Sequence, residues 1–338
     1  MEPAAKRAKR DRDVPKTSPD ESTGGDGDGD VSDDEAQRCT ICLSSRGALL
    51  QRGCCCRGDA GLVHLACIVR CAEHSGSWQV CSTCKECFTG SVYLGLAQEW
   101  SARSQALPED SEERLQAAGT LAIALLENGQ IVESEAMLLE VVATMKRVLG
   151  ERHPLTLDCC CNLAANLCER GKFRQAEELL VEALDTIRDV HGEEHESTLG
   201  AGSLLASTLR ELGQYARAEE LQVGILATKR RVLGKEDPST LHTAGNLGTT
   251  YSSQCKYEAA QALQLEVYTI ERRVMGAGHP TTLGTAGNLA GAYLDLGKYA
   301  AAEALLREVL EHEKELLGAD HPTTIATPSA RKVSHCDN

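Results

Sequence analysis

A small metal-braced domain followed by an all-α solenoid is the architecture this sequence predicts, and three observations predict it. Seven cysteines and one histidine fall into four ligand-like pairs between Cys39 and Cys84. From residue 111 onward the chain repeats itself every 42 residues. Aromatic residues make up only 3% of 338 residues, so the core must be filled by Leu, Ala and Val, as in helices stacked on helices.

Residues 1–36 come first and carry Pro, Ser, Gly and charge without an apolar period. Lys6, Arg7, Lys9, Arg10 and Arg12 make the start basic, and Asp26, Asp28, Asp30, Asp33, Asp34 and Glu35 make the end acidic. Such a segment buries too little apolar surface to fold. Its cluster Lys6-Arg7-Ala8-Lys9-Arg10 fits a nuclear import signal, the alternative being a solvated disordered tail.

The ligand run reads Cys39-x2-Cys42, Cys54-x-Cys56, His64-x2-Cys67 and Cys81-x2-Cys84. Structural zinc takes four Cys or His ligands tetrahedrally, and a two-residue spacer lets one knuckle supply two of them. Eight ligands therefore suffice for two zinc ions. The metal substitutes for a core that some fifty residues cannot build, since structural zinc is worth roughly 10–16 kcal/mol in small peptides.

The segments CTIC, GCCCRG, VHLAC and CSTCK resemble the four ligand boxes of the RING-CH (RING-variant) finger, found in a family of ubiquitin ligases. A PHD finger usually spaces its second pair by two or more residues and brings its histidine sooner. The resemblance covers residues 37–92 and implies a small α+β finger with two zinc ions in a cross-brace. Carried over, Cys39, Cys42, His64 and Cys67 hold one ion, while Cys54, Cys56, Cys81 and Cys84 hold the other. Cys55, Cys71 and Cys87 are left as spectators, with Cys55 an alternative to a neighbour.

The same resemblance implies a ubiquitin-conjugating enzyme as partner, docked on Ile41 of the first knuckle, and a ubiquitin contact at Lys85 after the last ligand. A RING finger supplies no nucleophile; it positions a charged conjugating enzyme, so its effect is one of orientation. The chain departs from the family at Cys71, where a tryptophan is common. Trp78 either compensates or packs against a zinc knuckle, and the second reading is preferred.

Residues 93–110 read as a linker. Beyond it Leu115, Leu157, Leu199, Leu241, Leu283 and Ile325 share one register, and His153, His195, Asp237, His279 and His321 share another. Gly129, Gly171, Gly213 and Gly297 form a third, with Cys255 as its exception. Each unit reads as two helices separated at that glycine. Small residues at Ala122, Ala164, Ala206, Gly248 and Ala290, with Ala176, Ala218, Ala260 and Ala302 on the second helices, let the two approach closely.

This pattern resembles the tetratricopeptide repeat in its kinesin light chain variety, over residues 111–323: five units and the start of a sixth. Pro328 stops that sixth unit, and residues 324–338 form a polar tail. The recurring histidines precede Pro or Glu and read as helix-start residues rather than ligands. Asn162, Asn246 and Asn288 recur on first helices, where the repeat family lines its concave groove; the resemblance implies hydrogen bonds to a bound peptide, and the alternative is a bond between repeats. Gln222 and Gln264 replace Leu138, Leu180 and Leu306, which reads as loose packing or a contact site, loose packing being preferred. Cys159-Cys160-Cys161 read as buried thiols.

A net charge of −15 argues against a general nucleic-acid binder. No signal peptide is visible at Met1–Lys16 and no run of eighteen apolar residues occurs, so no membrane span is expected. The 16 cysteines are then thiols or zinc ligands in a reducing compartment, cytoplasmic or nuclear. No Walker loop, dinucleotide fingerprint or nucleophile elbow appears. The expectation is a soluble ubiquitin ligase whose repeats recruit protein or peptide substrates; the alternative is a non-catalytic zinc-finger and repeat scaffold.

Overall fold

The computed structural model describes residues 39, 41, 48–51, 62–82, 84–85 and 87–318. The expectations for the charged segment 1–36, for Cys42, Cys54, Cys55 and Cys56, and for the sixth unit and the tail 324–338 lie outside these residues.

Two short strands, β1 (Leu50–Gln51) and β2 (Leu62–Val63), pair antiparallel with Leu50 opposite Val63. α1 (Leu65–Ser75) follows, and Val80 and Cys87 form an isolated antiparallel bridge. α2 (Gly90–Ser104) then leads into five helix pairs. These are α3 (Glu112–Glu127) with α4 (Ile131–Val148), α5 (Pro154–Glu169) with α6 (Phe173–His191), and α7 (Glu196–Glu211) with α8 (Tyr215–Val232). α9 (Pro238–Ser253) with α10 (Tyr257–Val274) and α11 (Pro280–Asp295) with α12 (Tyr299–Leu317) complete them.

From α2 onward each helix packs on its predecessor and successor, and successive first helices also touch one another. The first helices therefore lie on the inner side of the curve. The all-α solenoid is the predicted one, and its local causes are legible. Proline at the first position of α5, α9 and α11 is preorganised for a helix start. Just before it, Asp237 accepts from the amides of Ser239 and Thr240 at 2.9 and 3.3 Å. The Nδ1 atoms of His195 and His279 accept in the same way from Ser197 and Thr281, at 3.2 and 3.3 Å. Those histidines are helix-start residues.

At the turn inside each unit, Gly129, Gly171, Gly213 and Gly297 have φ between 68° and 77°. There Lys172 donates its amide to the Leu167 carbonyl at 2.8 Å, closing the end of α5. Cys255 takes the same turn at φ 59°, with Lys256 donating to Tyr251 at 2.9 Å. The small residues sit where the helices cross, and Ala122, Ala164, Ala206, Ala176, Ala218, Ala260 and Ala302 are fully buried. In the first unit the partner position is Ser134, whose hydroxyl donates to the Ala122 carbonyl at 2.7 Å.

Neighbouring units are also keyed electrostatically. Lys146–Glu182, Arg230–Glu266 and Arg272–Glu308 recur at one register, at 3.4, 3.0 and 2.9 Å. Arg231–Glu194 and Arg273–Glu236 recur at another, and Arg152–Asp189 holds that register with the charges exchanged. Each exposed pair is worth at most about 1 kcal/mol. One carboxylate is more buried: Glu135 accepts from Lys172 at 2.6 Å and from Arg170 at 2.8 Å.

One reading of the sequence changes, and two side-chain settings are filled in. The stretch 93–110 is helical through Ser104, because α2 buries Leu96, Ala97 and Trp100 in a core that also holds Ala124 of α3. Gly95 permits its close approach to α1, since a Cβ there would stand 2.7 Å from the Leu65 side chain. Trp78 stacks on Trp100 of α2, centroids 6.1 Å apart, with the Arg103 guanidinium over it at 5.9 Å, and it packs against the core that holds Cys39, Cys67 and Cys81. Gln222 and Gln264 are both buried, and Gln222 Nε2 and Gln264 Oε1 have no hydrogen-bond partner among the described residues. The Gln222 side chain accepts from Thr250 at 2.7 Å, and Gln264 donates to the Gly245 carbonyl at 2.9 Å while filling the space over Gly248.

Candidate functional site

The donor atoms of Cys39, His64 and Cys67 all lie within 4.8 Å of one another. Local structure brings them together. His64 is the residue before α1, so Cys67 falls on the first turn of that helix, and its sulfur is 3.9 Å from His64 Nδ1. β2 ends at Val63, and the His64 amide donates to Cys39 Sγ at 3.4 Å. Cys39 and Cys67 are buried and His64 is half-buried. Three soft or borderline donors converging on one buried point form the donor set that suits zinc. Cys42, named as the fourth ligand, lies outside the described residues.

Of the second ligand set, Cys81 and Cys84 share one tight turn. The Lys85 amide donates to the Cys81 carbonyl at 2.9 Å, and Lys85 itself sits at φ 66°, the left-handed conformation that lets a chain fold back sharply. Cys54 and Cys56 lie outside the described residues. Ile41 is exposed, Lys85 is exposed, and Cys71 is exposed on α1. Cys87 is exposed at the bridge to Val80.

The second candidate surface is the inner face of the solenoid. A cavity of about 430 Å³ opens over α3, α5 and α7, bounded by Gln116, Thr120, Asp158, Asn162 and Ser197. Gln79, from the segment after α1, closes one side and donates to Thr120 Oγ1 at 2.6 Å. The segment after α1 thus borders the cavity of the repeats. Asn162 lines this cavity and is half-buried; Asn246 is half-buried and Asn288 exposed, both outside it. The bond between repeats comes instead from Asn166, one turn further on, whose Nδ2 donates to the Ile131 carbonyl at 3.1 Å. It is fully buried, and its register holds Ala124, Thr208, Thr250 and Ala292 in the other units, so no recurring asparagine signals it. Cys159 and Cys160 are buried and Cys161 is half-buried; burial pushes the thiols of Cys159 and Cys161 up to about 12, as unreactive core groups.

The chain belongs to the tetratricopeptide-repeat family. One family model of that description matches residues 113–189 and 197–273, and a second matches 282–323, together more than half of the chain. No curated protein matches it. Among solved structures it is similar to the nearly identical TPR-like repeats of a candidate kinesin light chain from Podosopora anserina. That likeness has 28% identity and a TM-score of 0.53, covering 60% of this chain and 97% of that one. It is also similar to BtubC (BKLC) from P. vanneervenii, at 20% identity and a TM-score of 0.56, over 68% of this chain and 92% of that one; this likeness concerns the fold alone. No helix among the described residues is long and apolar enough to cross a membrane.

Proposed function

We propose that this chain is a RING-variant ubiquitin ligase in which a zinc-braced finger docks a ubiquitin-conjugating enzyme and the repeats recruit a protein substrate. The observation that carries the reading is the convergence of Cys39, His64 and Cys67 in the arrangement the family's first zinc site needs. Cys39, Cys42, His64 and Cys67 would hold one ion, and Cys54, Cys56, Cys81 and Cys84 the other. Bound zinc would supply structural cross-links and no chemistry on substrate.

Ile41 stands exposed on the first knuckle, as a docking contact must, and exposed Lys85 is available to ubiquitin. With α2 packed on both α1 and α3, a substrate held by the repeats is kept at a fixed distance from the docked enzyme. Asn162, Asn246 and Asn288 of the inner face are the groups proposed to bind the peptide. Cys71 favours a second reading, a non-catalytic scaffold, because it leaves a thiol where the family commonly presents an indole.

Self-ubiquitination with a panel of conjugating enzymes separates the two. The ligase reading expects chains with at least one enzyme, and a loss of tenfold or more in Ile41→Ala. Absence of chains across the panel, or chains unchanged in Ile41→Ala, leaves the scaffold.

A further inference from the structure

A cleft between the second and third repeat units is closed at the corresponding place one unit earlier. Among α4, α5 and α6, the space beside Lys146, Leu157, Cys160, Leu179, Glu182 and Ala183 measures about 10 Å³. Forty-two residues further on, beside Arg188, Leu199, Gly202, Leu221, Gly224 and Ile225, it measures about 450 Å³. One unit further again, beside Arg230, Leu247, Leu263 and Glu266, the space is also open, at about 480 Å³, so what sets the middle cleft apart is its lining, in which two side chains are missing. Gly202 replaces Cys160, where other units have Ala118, Ala244 and Ala286. Gly224 replaces Glu182, where every other unit has a glutamate: Glu140, Glu266 and Glu308. Ile225 leans into the place over Gly202, whose Cβ would meet it at 2.9 Å, while a Cβ on Gly224 would meet nothing within 4 Å.

The missing glutamate leaves a specific electrostatic deficit. Lys146, Arg230 and Arg272 each bind the carboxylate of that register on the next unit. For Arg188 the residue there is Gly224, and its ion pair is instead with Asp185 on its own helix, at 2.9 Å and exposed. Pairs of that kind are weak and easily exchanged. The cleft floor is apolar, with Leu184, Leu205 and Leu209 beneath. Its rim also carries Arg217, Glu193 and Glu220, but Arg217 is held by Glu177 at 2.6 Å. Glu193 stands where Glu151 stands in the closed counterpart.

We propose that this cleft binds a small apolar monocarboxylate, whose carboxylate takes the place of the absent glutamate on Arg188 and whose apolar body covers the leucine floor. The volume lies in the range of small-molecule sites, and the lining combines the leucines with a charged rim of Arg188, Glu193, Arg217 and Glu220. The two rim glutamates disfavour a segment with several acidic residues. A single carboxylate on an apolar chain is what the charges admit.

The test is calorimetric titration of the full chain with decanoate, decanol and decylamine, each below its micelle concentration. Decanoate is expected to bind at one site, at least about tenfold more tightly than decanol, with decylamine weaker still. Arg188→Gln should bring decanoate down to the level of decanol. Gly224→Glu should weaken decanoate binding to the level of decanol and raise the unfolding midpoint, because it supplies the carboxylate that completes the ion-pair series on Arg188. Circular dichroism checks that both variants stay helical; Arg188 lies at the surface, so its variant decides the matter if Gly224→Glu misfolds. Failure of all three ligands to bind, equal binding of decanoate and decanol, or decanoate binding that survives Arg188→Gln would overturn the proposal. So would tighter binding of acetyl-Leu-Glu-Leu-amide than of decanoate, which would assign the cleft to a protein partner.

Discussion

Cys255 holds the left-handed turn that four glycines hold in the other units, and a Cβ there costs roughly 1–2 kcal/mol against the extra chain entropy of glycine, about 0.5–1 kcal/mol. Cys255→Gly is therefore expected to stabilise the chain by about 0.5–1 kcal/mol, read from urea unfolding midpoints. Gly171→Cys should cost a similar amount. Glu135 yields a pH prediction. The hydrogen bond from Lys172, helped by Arg170, lowers its pKa against the opposing effect of burial. A carboxyl depressed in the folded state stabilises fully above its unfolded value, about 4.3, and loses that contribution as pH falls through the folded value. The stability difference between wild type and Glu135→Gln should be about 2 kcal/mol at pH 7 and shrink below about pH 4. A difference constant down to pH 3 would contradict this account of the pair. The sequence marked Cys255 as an exception to a glycine register but gave no sign of Glu135, whose partners lie 35 and 37 residues away.

The helices of the repeats were readable because a 42-residue period brings the same signals back in register, so that a weak proline or glycine cue in one unit is supported by others. α2 has no such repetition. Its apolar residues follow the finger without a break, and only its packing between α1 and α3 distinguishes it from a linker. The stacking partner of Trp78 was hidden for the same reason, since Trp100 sits on that helix. The charge-exchanged pair Arg152–Asp189 was equally hidden, because register matching looks for like residues at like positions. If α2 joins the finger to the solenoid, Trp100→Ala should remove about 3–5 kcal/mol of packing. Hydrogen exchange would then show faster exchange in α1 and α2 and little change from α7 onward. Uniformly faster exchange along the array would contradict a local joint.

For the whole molecule, the proposed ligand run was legible as spacing in the chain, and the described residues include five of its eight positions. Three of the eight named residues converge, and two more share a turn. What binds the groove was not legible, since groove side chains are set by the partner and not by the fold. The account rests on a finger braced by two zinc ions at the head of a peptide-binding solenoid. Native mass spectrometry of the full chain, with metal analysis, tests it most directly. Two zinc ions per chain are predicted, falling to one in Cys67→Ser with the repeats still helical; a wild-type chain carrying one ion, or none, contradicts the cross-brace.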